Sequence, residues 1–220
     1  KADIPCDILG LEPGWHTHAY SCTYKWNEEK FPEPKKLVDR LIDMGYHINL
    51  WEHAFVHPDS PIHEKLLPFV HPDSPLRKPL EPYSADYCVW GGLVPDFSLP
   101  EARKIFAGYH RENLASMGID GFKADECDGS DFTGGWTFPN HTKFPSGLDG
   151  EQYHSLFGAL YAKTMMQGIG KPTLSEIRSM GALGASYPFV LYSDLSNIKA
   201  LLNKSKKKYK TKCNSIDKKE

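Results

Sequence analysis

Apolar residues along this chain follow two alternating rhythms. "DIPCDILGL" (3–11) reads as a strand, and "EPKKLVDRLIDMG" (33–45) spaces Leu37, Leu41, Ile42 and Met44 for one helix face, with Gly45 as its stop. "YHINLW" (46–51) is a second strand. "SLPEARKIFAGYHRENLASMG" (98–118) is a helix with Ser98 as N-cap, Pro100 in the first turn, Glu101 near the positive end of the dipole and Gly118 as its stop. "IDGFKAD" (119–125) is a third strand, and "GEQYHSLFGALYAKTMMQG" (150–168) a helix ending at Gly168. "KPTLSEI" (171–177) and "GASYPFVLYSD" (184–194) hold two more strands. Repeated strand-then-helix with apolar strands predicts an α/β fold, a parallel sheet with helical crossovers.

One stretch breaks the alternation. "FVHPDSPIHEKLLP" (55–68) is followed at once by "FVHPDSPLRKPLEP" (69–82). A unit this short is no solenoid repeat, so it reads as a duplication inside one loop, and its prolines predict no regular structure. His57, Asp59, His71 and Asp73 from the two copies resemble a ligand set, but without a fixed backbone no metal is expected there.

Composition adds limits. The chain has 220 residues, 40% hydrophobic, enough to bury a core, and no apolar run long enough for a membrane span. Its net charge of −2 is uneven: from Ser196 on, nine Lys face Asp217 and Glu220, which leaves an acidic body. That body predicts no nucleic-acid partner, and residues 196–220 read as a solvated Lys-rich tail outside a domain at 1–195. The five Cys include no Cys-x-x-Cys pair; Cys6 and Cys127 are expected as small core residues. The chain opens on Lys1, so a mature or excised form is expected, and localisation stays open.

The strand ends carry the chemistry. They finish in Glu12 and Trp15, in Trp51, Glu52 and His53, in Lys123 and Asp125, in Glu176 and Arg178, and in Asp194. Reactive groups of parallel α/β folds gather at such ends, so these residues predict an acidic pocket with aromatic walls and a fixed cation. That combination suits a sugar: rings stack on its apolar faces, and carboxylates and Arg bond its hydroxyls. Hydrolysis of a glycosidic bond needs two carboxyl groups in different protonation states. Lys123 shares strand parity with Asp125 and is expected to hold it ionised.

"FPEPKKLVDRLIDMGYHINLW" and "VPDFSLPEARKIFAGYHRENLASMGIDGFKADE" resemble blocks of glycoside hydrolase family 31, the α-glucosidase, α-xylosidase and α-galactosidase clan. The resemblance covers roughly residues 3–195. It implies a (β/α)8 TIM barrel, here apparently incomplete with its first five to six strand units, and a retaining mechanism. It places the nucleophile on Asp125, a substrate-binding Arg on Arg178 in "EIRSMGALGASYP", and the acid/base on Asp194 in "YSD", where Ser193 replaces the usual Gly. Glu12, Trp15, Trp51, Glu52 and Lys123 are then expected in the sugar subsite. The resemblance implies a carbohydrate partner and no cofactor.

Other readings are narrower. The incomplete barrel predicts a fragment of an α-glycosidase, with an inactive carbohydrate-binding remnant as the alternative; a Schiff-base enzyme using Lys123 is a third reading. "DECDGSD" resembles a calcium loop but has Cys127 at its third position and Trp136 at its twelfth, so calcium is not expected. "HTH" (16–18) reads as loop histidines near a sugar site rather than metal ligands. "NHT" (140–142) and "NKS" (203–205) are glycosylation sequons that matter only in a secreted chain.

Overall fold

In a computed structural model the described residues are 5–67, 83–127, 139–171, 174–178, 183 and 186–192. Five strands form one sheet: β1 (Ile8–Leu11), β2 (His47–His53), β5 (Gly121–Asp125), β6 (Glu176–Arg178) and β7 (Val190–Tyr192), hydrogen-bonded in that order and all parallel. The crossovers carry α1 (Pro34–Asp43), α3 (Pro100–Asn113) and α4 (Gly150–Ile169). This is the alternation that the apolar rhythm predicts.

Strand parity sorts the side chains. Trp51 lies opposite Lys123 and His53 opposite Asp125 in the β2–β5 register. Alternate residues of a strand share a face, so Asn49, Trp51 and His53 share one with Lys123 and Asp125. Ile48, Leu50 and Glu52 take the other, with Phe122 and Ala124. That second face meets the helices: the Phe122 ring lies 5.5 Å from the ring of His110 in α3, edge on. Phe106, Tyr153, Phe157 and Tyr161 from α3 and α4 complete this buried layer.

The helix ends differ in detail from expectation. Leu99, not Ser98, stands at the N-cap of α3, because Ser98 donates its N–H (3.1 Å) and its hydroxyl to the Asp96 carboxylate. A short 3₁₀ turn, Ala115–Met117, follows α3 before Gly118 turns the chain at φ +113°. Asp149 and Gln152 form a reciprocal capping box at the start of α4. That helix runs through Gly168 to Ile169, and the left-handed Gly170 ends it. Gly168 instead allows close packing: a Cβ there would meet the Ala107 carbonyl of α3 at 3.3 Å. Cys127 is buried, whereas Cys6 is exposed rather than in the core, since it precedes the paired part of β1.

Two features are absent from the sequence reading. The Pro-rich segment holds one helical turn, α2 (His63–Leu66), between prolines that flank it rather than interrupt it. Residues 68–82, with the whole of the second copy and its His71 and Asp73, lie outside the described residues. An antiparallel hairpin, β3 (Ser84–Val89) and β4 (Gly92–Pro95), turns through Trp90 and Gly91 at φ +48° and +71°. Positive φ at both central residues suits the right-handed twist of the flanking strands.

Candidate active site

Asp125 ends β5 and is 8% exposed. Both of its carboxylate oxygens are held. The Trp51 indole N–H donates to Oδ2 at 2.7 Å. The Glu126 backbone N–H donates to Oδ1 at 2.8 Å, and Arg178 Nε lies 3.1 Å from the same atom. Glu126 adopts φ +56°, a region that side-chain-bearing residues enter at a cost, and this turn points its N–H back at Oδ1.

Arg178 is 1% exposed and also pairs with the Glu126 carboxylate. One guanidinium thus bridges two buried acids, a geometry its planar fork suits better than a lysine would. Tyr192 of β7 sits beside this group. Burial, then the Asp125 charge, holds its phenol far above the ordinary range.

Lys123 does not serve Asp125. Its ammonium lies 2.9 Å from Glu12 Oε1 and 5.4 Å from the centre of the Tyr192 ring. Parity brings Lys123 and Asp125 to one face, but Arg178 arrives as the cation. The ion pair with Glu12 also commits the amine that a Schiff base requires. Glu12 itself is well exposed at the end of β1.

Two expected lining residues lie elsewhere. Glu52 is fully buried on the helix side of the sheet, where His110 Nε2 lies 2.8 Å from Oε2 and the Tyr161 hydroxyl donates to Oε1 at 2.7 Å. Neighbouring residues of a strand point to opposite faces, so Trp51 and Glu52 do not line one pocket. Trp15 is buried as well, and its N–H donates to the Trp51 carbonyl at 2.7 Å. Asp194, Asp128 and Asp131 lie outside the described residues.

The fold adds residues that the strand-end reading misses. Tyr20, 46% exposed, sets its ring 5.3 Å from Trp51, 5.5 Å from His53 and 5.1 Å from Trp90. Burial and the charges of Glu126 and Asp125 push its phenol up to about 12. Trp90 comes from the hairpin turn and Tyr20 from the loop after β1. The two meet because Gly92 admits Ser21 so closely that a Cβ there would stand 2.4 Å from that of Ser21. An open aromatic face beside a buried carboxylate can hold a ring-shaped polar ligand.

Two histidines beneath this wall are neutral. His16 Nε2 lies 3.0 Å from the Trp51 carbonyl, and His53 Nδ1 accepts the Phe55 N–H at 3.2 Å. Burial lowers both to about 3. Between that value and the unfolded value near 6.5, the unfolded chain binds more protons than the folded one. Their contribution is therefore complete above about pH 6.5 and declines as the pH falls through this window, by up to roughly 1.4 kcal/mol per pH unit for each ring. Urea unfolding at pH 7, 6 and 5 should show this decline above the carboxylate range, with a shallower slope in His16→Gln. A flat profile would contradict the assignment.

Among the described residues no group of three or more His, Cys, Asp or Glu side chains is arranged to hold a metal ion. No helix there is long and apolar enough to cross a membrane.

Comparison with known proteins agrees with this architecture. The profile of the "Glycosyl hydrolases family 31 TIM-barrel domain" matches residues 1–204. The α-xylosidase XylQ of Lactiplantibacillus pentosus is 25% identical over 167 residues, which cover 76% of this chain and 20% of that protein. The myogenesis-regulating glycosidase of Mus musculus is 32% identical over 115 residues, covering 50% and 15%. The chain thus spans about a fifth or less of the length of these curated relatives. Among solved structures, a family 31 dextranase of Flavobacterium johnsoniae in complex with glucose aligns with a TM-score of 0.64 at 21% identity, covering 86% of this chain and 23% of that one. A family 31 sulfoquinovosidase from E. rectale, bound to an aza-sugar inhibitor, gives 0.64 at 19%, covering 84% and 28%. These two likenesses show the fold: the five-stranded sheet and its helices are part of a (β/α)8 barrel.

Proposed function

The chain belongs to glycosyl hydrolase family 31, and from that premise we propose that it carries the nucleophile half of a retaining α-glycoside hydrolase site. The observation that supports this most is Asp125: a buried carboxylate at a strand's C-terminal end, with both oxygens held and an open aromatic wall beside it.

In this reading Asp125 attacks the anomeric carbon through Oδ2, which the neutral Trp51 indole holds, while Arg178 and the Glu126 N–H retain Oδ1. A C–O bond forms to the sugar as the glycosidic C–O bond breaks. Asp194 gives its proton to the leaving oxygen. Water then attacks the same carbon, yields a proton to Asp194 and frees Asp125. Retention requires the two carboxyl groups about 5–5.5 Å apart. Arg178 is a positioning residue that holds the Asp125 carboxylate in place.

The test is intact mass after incubation with 5-fluoro-α-glycosyl fluorides of glucose, xylose and galactose. A gain of one glycosyl unit, localised by peptide mapping to Asp125, is expected and names the sugar. No adduct with any of them, in a chain whose circular dichroism shows it folded, would defeat the proposal.

Tyr20 is assigned to sugar stacking. Stacking of this kind holds substrate and transition state alike, so Tyr20→Ala is expected to raise KM about tenfold with kcat little changed, and Tyr20→Phe to behave as the native protein. Michaelis kinetics with a fluorogenic α-glycoside distinguish these outcomes. A fall in kcat at constant KM would remove Tyr20 from this role.

A further inference from the structure

On the helix side of the sheet, away from Asp125, the loop around residues 17–29 and the C-terminal half of α3 enclose an open cavity of about 710 Å³. That volume falls within the range of small-molecule sites. Trp26 and Tyr109 supply aromatic surface, and Asn27, Asn113, Glu28 and Glu29 supply polar groups.

Several of these polar atoms are uncommitted among the described residues. The Trp26 indole N–H is buried and has no acceptor. The Asn113 amide donates to the Tyr109 carbonyl at 3.0 Å, which leaves its Oδ1 open. Asn27 Oδ1 accepts the Lys30 N–H at 3.3 Å, which leaves its amide hydrogens open. Buried donors in folded proteins nearly always have partners, and none of the described residues supplies one to the Trp26 N–H. Glu28 and Glu29 outnumber Lys25, so the lining repels anions and discriminates against phosphates and sulfated ligands.

We propose that this cavity is a second, non-catalytic binding site for a neutral oligosaccharide. Aromatic surface meets the apolar faces of the sugar rings. The two carboxylates and Asn113 Oδ1 accept from hydroxyl groups, and the Asn27 amide N–H groups donate to hydroxyl oxygens. The site is physically linked to the nucleophile's support. Trp26 lies 5.1 Å from Trp15, and Trp15 donates to the carbonyl of Trp51, whose indole holds Asp125. The proposal stands independently of the hydrolase reading, since it uses neither Asp125 nor Asp194.

The five tryptophans permit a direct test by ¹H–¹⁵N NMR of the indole groups, assigned with single Trp→Phe variants. Isomaltotriose and maltotriose are the probes. The Trp26 resonance is expected to move saturably with at least one of them. Asn113→Ala, at an exposed position, is expected to weaken that titration about tenfold, the loss of one or two hydrogen bonds, and Glu28→Gln to weaken it further. Movement of Trp26 without Trp51 would support this site while leaving the catalytic pocket empty. Movement of Trp51 alone, a still Trp26 resonance with both probes, or a Trp26 titration unchanged in Asn113→Ala and Glu28→Gln would overturn it.

Discussion

Asp125→Asn is expected to lower turnover of an activated α-glycoside about ten-thousand-fold or more. The amide keeps one oxygen, which can still accept the Glu126 N–H in the place of Oδ1, while its NH2 faces the Trp51 N–H in the place of Oδ2, so one of the two hydrogen bonds is lost. It also loses the charge that attacks carbon in the proposed mechanism. Arg178 then faces Glu126 as its remaining buried anion, and a modest loss of stability accompanies the loss of rate. A second variant separates chemistry from structure. In Asp125→Gly, added azide should restore part of the rate and yield the β-glycosyl azide, because it attacks from the side the carboxylate has vacated. Each step balances: a C–N bond forms as the glycosidic C–O bond breaks. An Asp125→Asn protein with near-native turnover, or an azide product of α configuration, would remove Asp125 as nucleophile.

Glu52→Ala should have the largest effect on stability, about 3–5 kcal/mol. The carboxylate is fully buried and joins α3 to α4 through His110 and Tyr161. His110 is tied further, since its Nδ1 lies 2.8 Å from the Phe106 carbonyl. Truncating Glu52 strands an imidazole and a hydroxyl in an apolar layer where water does not replace the lost partner. Tyr161→Phe removes one hydrogen bond to the same carboxylate and should cost less, about 1.5–3 kcal/mol. The Glu52 and His110 changes should be strongly non-additive, as members of one network are. Urea denaturation followed by circular dichroism measures all of these. A cost below about 1 kcal/mol for Glu52→Ala would mean that the network is not structural.

The placement of these two acids shows how far local pattern reaches: Asp125 stands at the end of β5 as the pattern predicts, whereas Glu52 turns to the other face of the sheet. The positions of Asp125 and Arg178 at strand ends were legible in the pattern, since strand ends are where parallel sheets expose side chains, and the structure brings the two within 3.1 Å. Glu52 was assigned to the sugar pocket because it also stands at a strand end. The needed signal was present in "INLWEH": Ile48, Leu50 and Glu52 share parity, so Glu52 follows the apolar set to the helices. Lys123 shows the complementary error. It shares parity with Asp125, yet a long flexible side chain has several carboxylates within reach, and it pairs with Glu12, just past the end of β1.

The amino-acid sequence by itself determined the five strands of the parallel sheet, its three crossover helices and the carboxylate that ends β5. Those features depend on local periodicity and on residues close together in the chain. Only the tertiary structure decided that Tyr20 and Trp90, seventy residues apart, form one wall, that Arg178 rather than Lys123 holds Asp125, and that a cavity opens beside Trp26. Contacts of that kind depend on how closely two backbones approach. Here the approach rests on Gly92, where the hydrogen that replaces a side chain leaves room for Ser21.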